Sequence, residues 1–310
     1  LKDKYLLYPT YTAQEAASLL GSRLPDGVSE DYVPYVNDLR DPNKTIIGFR
    51  NGEKWYDANG TPVSSTVLAS QSQAGKVQPF VKQDTAITFD AFKDYEPQVN
   101  LMPRISFSFP ISEDATFFAH YDVLTQRPRA ANIGRFYDYY FLQQNATGDI
   151  NNPNLKPEKT VDYEVGFKQK VSENIAISLS AYYREMRNLI QYVRNNNAYP
   201  ISYDSYENLD FGTVKGFTFD FDMRRSPKTN LQFRGSYTLQ FANGTGSSFN
   251  SSRNAVGNIE GFNYLRTLLP LSYDQRHTIT GYVDFRFSGE RKGPGFGKEK
   301  KIYPFKDFGA

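Results

Sequence analysis

Two pairs of carboxylates, Asp162 with Glu164 and Asp220 with Asp222, are spaced so that both members share a face of an extended chain. Residues two apart on a strand lie about 7 Å apart, within the range at which paired carboxylic acids hydrolyse glycosidic bonds. Each pair is embedded in a run of alternating apolar residues. Charge lining a hydrated lumen therefore accounts for Asp162, Glu164, Asp220 and Asp222, together with Arg224 and Arg234, without any reaction. "DQRH" (274–277) gathers Asp274, Arg276 and His277 at the start of a strand pattern. It offers no nucleophile with an oriented base, so an Asp–Arg pair bracing the strand entrance is expected. "KGPGFGK" (292–298) has the glycines of a phosphate loop but neither the spacing nor the following Ser/Thr and helix.

Metal and redox chemistry have few carriers. The chain has no cysteine, and its two histidines, His120 and His277, are far apart in sequence. No catalytic residue, cofactor or metal is expected. The loop "GRFYDYYFLQQN" (134–145) is the strongest candidate for binding. Arg135, Tyr137, Tyr139 and Tyr140 in it can stack on a ligand, or the same rings can form an interfacial aromatic girdle.

Across 310 residues the net charge is +2, from 36 basic and 34 acidic side chains, which gives no basic patch for nucleic acid. Aromatics reach 15% with Tyr 23 and Phe 24, yet the mean hydropathy is -0.59. No window approaches 18 consecutive apolar residues, which excludes a transmembrane helix. A membrane β-barrel fits, because each strand then shows one apolar and one polar face.

Period-2 alternation recurs along the chain in "RISFSF", "ATFFAHYDV", "TVDYEVGFK", "IAISLSAYY", "GFTFDFDMR", "LQFRGSYTLQF" and "TITGYVDFRF". Each run is about 9 to 11 residues, the length of a tilted strand crossing a bilayer. Val161, Val165, Phe167, Leu179, Phe219, Phe221 and Phe285 are expected to face lipid. Asp162, Glu164, Asp220, Asp222, Arg224 and Arg234 are expected to face the lumen. Short connections at 110–114, 172–174 and 225–230 alternate with long ones at 125–159, 191–212 and 242–275. That is the asymmetry of an outer-membrane barrel with short periplasmic turns and long extracellular loops, so residues 160–170 run toward the periplasm. Pro153 and Pro157 are expected to hold the approach to this strand extended. A soluble β-sandwich gives the same alternation, but favours short loops at both ends.

Residues 1–100 read as a folded extracellular insertion, with 101–310 supplying barrel strands. A helix starts on a Thr12–Glu15 capping box and stops at Gly21. "TIIGFRNGEKWYD" is a hairpin whose Asn51-Gly52 pair suits a type I′ turn.

"NPNLKPEKTVDYEVGFK", then "ISLSAYYREMRNLI" and "DQRHTITGYVDFRF", resemble the TonB-dependent outer-membrane receptors. "VNLMPRISFSFPISEDATFFAHYDVLTQRP" resembles the same family one hairpin earlier. Together with "YVPYVNDLRDPNKTIIGFRNGEKWYD", the sequence is similar to the large Bacteroidetes-type members. The resemblance implies a 22-stranded barrel around an N-terminal plug, of which this chain has room for about half the strands. A processed or truncated chain is expected from its start at Leu1, and a fragment lacking plug and TonB box from its motifs. The resemblance implies import of an iron chelate, peptide or oligosaccharide across the outer membrane of a Gram-negative bacterium. TonB, through the plug, outer-membrane lipid and a surface lipoprotein lid are the implied partners. Two further readings are a receptor-like barrel scaffolding a surface, lipoprotein or secretion complex, and a complete barrel of eight to ten strands.

Overall fold

A computed structural model of the chain describes residues 1–83, 86–94, 96–128, 136–144, 149–226, 229–248, 251 and 267–287. Alternating β-branched and aromatic residues form an antiparallel sheet of eight strands: β5 (Arg104–Ser112), β6 (Ala115–Gln126), β7 (Glu158–Ser172), β8 (Ile175–Asn195), β9 (Tyr203–Met223), β10 (Leu231–Gly244), β11 (Leu269–Pro270) and β12 (His277–Phe285). The order is a simple meander from β5 to β10, and β11 and β12 pair successive stretches of β10. The all-β, partial-barrel expectation therefore holds. Among the described residues the sheet does not close on itself.

The register aligns the two faces across every strand. One row runs Phe109, Phe117, Phe167, Leu179, Phe219, Tyr237, Ile279. Phe221 and Phe285 share that face through Ile177 and Leu231. Rows of the opposite face carry His120, Glu164, Tyr182 and Gln240 on either side of Gly216, and Ser178, Asp220, Ser236, Thr280. Val161 shares the apolar face but is only 8% exposed, beside Val123, whereas Val165 is 49% exposed. It packs at the end of the sheet away from the two-residue turns and is not part of the open apolar surface expected for it.

Two-residue turns, Glu113-Asp114 and Glu173-Asn174, close one end. Lys170 spans both, 2.7 Å from Glu173 and 3.8 Å from Asp114. At this end Arg224, one residue past β9, donates its backbone N–H to Asn174. At the other end one expectation fails. The 191–212 stretch is mostly strand, and only 196–202 connects β8 to β9. Both strands run 21 residues, well beyond a bilayer crossing, with register shifts near Met186 and Leu189. Pro153 also departs from expectation: it sits in a turn whose Asn152 side chain accepts from the Asn154 N–H.

Glycine permits one close approach on the polar face. The Tyr182 ring lies over Gly216 so that its hydroxyl donates to Gln240 at 2.9 Å. A Cβ at Gly216 would sit 2.5 Å from that ring and 2.7 Å from the Leu239 carbonyl. Gly216→Ala is expected to lose about 1–3 kcal/mol by overpacking, read as a lower temperature for the folded band on unheated gels. Gly281→Ala, where a Cβ meets nothing within 4 Å, should leave that temperature unchanged. Equal effects would refute the packing argument.

Residues 1–92 form a separate unit, richer than a helix and one hairpin. Its sheet orders β1 (Val33–Val36), β2 (Ile46–Asn51), β3 (Lys54–Asp57) and β4 (Pro62–Val63), with helices α1 (Ala13–Leu20) and α2 (Ser65–Gln71) beside it. The capping box is present, with Thr12 Oγ1 accepting from the Glu15 N–H and Glu15 accepting from the Thr12 N–H. The turn between β2 and β3 falls one residue later than expected. Asn51 pairs with Lys54, so Gly52-Glu53 are the turn residues, and of these only Gly52 has positive φ, which is not a type I′ turn. Tyr35, Ile47, Leu68 and Val77 make one core, and Ala13, Val28 and Phe49 another.

Candidate functional site

The extended tip of the β8–β9 hairpin is where separate parts of the sequence meet. From 151–157, Leu155 packs with Ile190, Tyr192 and Tyr206. Asn152 donates to the Tyr206 carbonyl at 2.9 Å. Asn208 accepts from the Lys156 N–H at 2.8 Å and donates to the Lys156 and Asn188 carbonyls. Glu158 accepts from the Ile190 N–H at 3.0 Å. The Asn- and Pro-rich approach to β7 is thus a clasp that supplies hydrogen-bond partners to the irregular middle of the hairpin.

The N-terminal unit docks on the same tip. Leu7 donates its N–H to the Tyr199 carbonyl, and Tyr203 donates its hydroxyl to the Lys4 carbonyl at 2.8 Å. Lys4 bridges Glu53 at 2.8 Å and Glu207 at 3.0 Å. Lys76 donates to the Pro200 carbonyl and Asn197 to Ser65. Leu7, Tyr8, Tyr139, Ile150, Ala198 and Tyr203 form the shared core. Burial opposes the charge on Lys4, but the two glutamates outweigh it and hold the ammonium protonated above its ordinary range.

A cleft of about 280 Å³ opens at this junction, lined by Lys2, Lys4, Lys93, Tyr139, Asn151 and Glu207 among others. Its wall mixes amides, phenols, ammonium groups and one carboxylate, a surface for hydrogen-bonding a polar ligand. Nothing in it is arranged as a nucleophile with a base.

Of the residues expected to bind ligand, Tyr139 and Tyr140 lie on helix α3 (Phe136–Gln143). They face different surroundings. Tyr139 is 7% exposed, its ring edge-on to Phe92 at 5.1 Å, and it is one of the residues lining the cleft. Its packing role explains its position. Tyr140 is 50% exposed. Tyr137 is on the same helix, its side chain outside those described, and Arg135 lies outside the described residues, as does 292–298. Lys4, Asn152, Tyr203 and Glu207 escape sequence reasoning, because they meet only through long-range packing.

Burial pushes the Tyr139 phenol up to about 12, reinforced by Asp138, and raises Tyr203 as well, with Tyr139 adding to the effect. An acid whose folded pKa is raised contributes stability that is complete below the unfolded value, about 10. That stability is lost as pH rises through the folded value. An absorbance titration at 295 nm is expected to show phenols that ionise only when the junction opens, above pH about 10. Ionisation of every tyrosine near pH 10, with the junction still closed, would sink this account.

The polar face of the sheet holds three of the other candidates, Asp162, Asp222 and Arg234, in ion pairs. Asp162 accepts from Arg184 at 2.6 Å, and Arg234 lies 2.9 Å from Asp222. Glu164 is the cross-strand neighbour of His120, whose Nδ1 is 2.9 Å from Ser106 Oγ, and Asp220 is that of Ser178. At the strand entrance Asp274 pairs with Arg276 at 2.9 Å and accepts from the Ala242 N–H at 2.8 Å, as the brace was expected to do. Those two contacts hold the Asp274 carboxyl below its usual range.

Comparison with known proteins places these observations. A family described as "TonB dependent receptor-like, beta-barrel" matches residues 21–298. No curated protein matches the sequence. Among solved structures, the FrpB iron transporter of Neisseria meningitidis (F3-3 variant) is 15% identical with a TM-score of 0.40, covering 61% of this chain and 24% of that one. The outer membrane transporter YddB of Escherichia coli is 14% identical with a TM-score of 0.47, covering 60% and 26%. The ferric-catecholate import receptor Fiu of E. coli K12 is 15% identical with a TM-score of 0.40, covering 59% and 22%. The chain spans about a quarter of the length of these structures.

Proposed function

Because this chain belongs to the TonB-dependent receptor-like β-barrel family, and so to the outer membrane of Gram-negative bacteria, we propose that it forms wall and outer surface of an importer. The imported nutrient is an iron chelate, a peptide or an oligosaccharide. TonB, acting through a plug domain outside this stretch, is the partner that supplies the energy. In this reading Val165, Phe167, Leu179, Phe219, Phe221 and Phe285 meet lipid. Asp162, Glu164, Asp220, Asp222, Arg224 and Arg234 line the wet lumen. The two-residue turns are periplasmic, and the long hairpin, helix α3 and the N-terminal unit stand outside the cell. The Tyr-rich connections and the 32–57 insertion support a large Bacteroidetes-type receptor.

The observation that carries the reading is the alignment of polar rows from the two-residue turns to the outer connections, where the cleft lies. An importer needs that continuity of hydrated surface and no reactive residue. The docking of the N-terminal unit on the hairpin through Lys4, Leu7 and Tyr203 favours a second reading, in which this outer surface holds a lipoprotein lid or scaffolds a secretion complex. Deletion of the full receptor gene distinguishes them. Loss of uptake of one nutrient supports import. Unchanged uptake across iron chelates, peptides and oligosaccharides, with a surface lipoprotein co-purifying, overturns it in favour of the scaffold.

A further inference from the structure

The cleft at the junction of the N-terminal unit and the β8–β9 hairpin has a polar floor and a cationic rim. Tyr203, Ser205 and Glu207 alternate along β9, so one face of that strand presents all three to it. Asn195 stands opposite Tyr203 in register. Ser205 and Asn195 are only 4% and 5% exposed. The Ser205 hydroxyl nevertheless has no protein partner among the described residues. Buried polar groups are normally paired, so a hydroxyl left open to a cleft is a donor held ready for a ligand atom. The 150–152 stretch closes one side, tied down by the Ile150 N–H on the Asp204 carbonyl at 2.7 Å. Asn151 and Asn154 add amides there.

Three lysines line the same cleft. Lys4 is neutralised by Glu53 and Glu207. Lys2 and Lys93 are exposed and have no ionic partner among the described residues. Their segments run side by side, because Lys2 donates its N–H to the Ala91 carbonyl at 2.8 Å. Two uncompensated ammonium groups above a floor of hydroxyls and amides select an anion with further polar atoms behind it. At about 280 Å³ the cleft is small beside ligand pockets of about 300–1,000 Å³. It therefore holds the end of a chain, not a whole metal chelate. Amides, phenols and hydroxyls outnumber apolar side chains in its lining, which suits a sugar ring more than an amino-acid side chain. Given the import reading, on which this rests, we infer that the cleft takes the terminal uronic acid of an acidic oligosaccharide. Lys2 and Lys93 meet its carboxylate, and Ser205 and Asn151 meet its hydroxyls.

The test is calorimetric titration of the full receptor in detergent with trisaccharides of galacturonate, glucuronate and mannuronate. The same trisaccharides, carboxyl-reduced to neutral sugars, serve as the comparison. At least one uronate is expected to bind about tenfold more tightly than its reduced form. Lys2→Gln with Lys93→Gln is expected to weaken uronate binding about threefold per ammonium, or roughly tenfold for the pair, and to leave the reduced sugar unaffected. Ser205→Ala should weaken both forms about tenfold. Lys44→Gln with Lys54→Gln, the same charge change away from the cleft, should alter neither. Equal binding of uronate and reduced sugar overturns the site, as does binding of neither. So does a uronate affinity that survives the loss of Lys2 and Lys93. Tighter binding of triglutamate than of any uronate, lost with the same lysines, overturns the sugar in favour of an acidic peptide. Uptake by cells separates this site from the import reading. A uronate that is bound at the cleft but not taken up refutes import alone, whereas uptake of another nutrient with no uronate bound refutes the site alone.

Discussion

Leu179→Arg is expected to abolish normal insertion of the barrel wall, while Ser178→Arg, its neighbour on the same strand, is expected to be tolerated. Leu179 lies between Phe167 and Phe219 in the register and is 41% exposed on the apolar face. Nothing polar lies beside it in that row to pair with a guanidinium. A charge placed there costs about 2–4 kcal/mol near the bilayer midplane. Ser178 points the other way, beside Lys168 and Asp220, where an added arginine gains both water and a carboxylate. The measurement is the fraction of receptor showing heat-modifiable migration after folding into lipid vesicles. Similar losses for the two variants would mean that the faces do not meet different media.

Arg50→Ala is expected to produce the largest loss within the N-terminal unit. The side chain is 1% exposed and every edge of its guanidinium is used. Nε donates to the Tyr35 hydroxyl at 2.9 Å, one terminal nitrogen to the Gly52 carbonyl at 2.7 Å and the other to the Asp3 carboxylate. The Tyr5 and Trp55 rings lie 4.8 and 5.7 Å from it. Removing one partner of a buried pair typically costs about 3–5 kcal/mol, because the remaining groups lose their compensation. Asp3 is 29% exposed and can be rehydrated, which places the loss toward the lower end of that range. Arg50→Lys should recover part of it only, since an ammonium cannot reproduce the planar fork. Trp55, the only tryptophan of this chain, lies tilted against Tyr35 with ring centroids 5.0 Å apart and reports the change. Denaturant unfolding followed by its fluorescence should show an early transition in Arg50→Ala. Unchanged midpoints would deny the arginine its organising role.

The two variants probe different segments joined at one place. Asp3 precedes Lys4, which grips Glu207 on the hairpin, so loosening Arg50 is felt at the cleft. The junction of the N-terminal unit with the hairpin is thus held by few contacts distant in sequence, whereas the large sheet is held by many adjacent ones.

That difference also explains which features could be read from the residues. The faces of β5 to β12 follow from alternation, a local property: side chains two apart on a strand share a side whatever the partner strand is. The assignment of Phe167, Leu179 and Phe219 to one face and Asp162 and Asp220 to the other therefore needed no tertiary information. The capping box of α1 and the Asp274–Arg276 brace are local too, each closed within three residues. The extension of the hairpin to Asn195 and Tyr203 was not legible, because its polar, asparagine-rich sequence has the composition of a loop. It is ordered by Leu155, Asn152, Glu158 and the N-terminal unit, which reach it from up to about two hundred residues away. The burial of Val161 and Tyr139 and the setting of Lys4 likewise depend on what packs over them. Sequence alone determined the alternating segments of the large sheet, their two faces and the family. Only the tertiary structure decided where the outer segments meet and which side chains line the cleft, because those contacts join residues that no local periodicity connects.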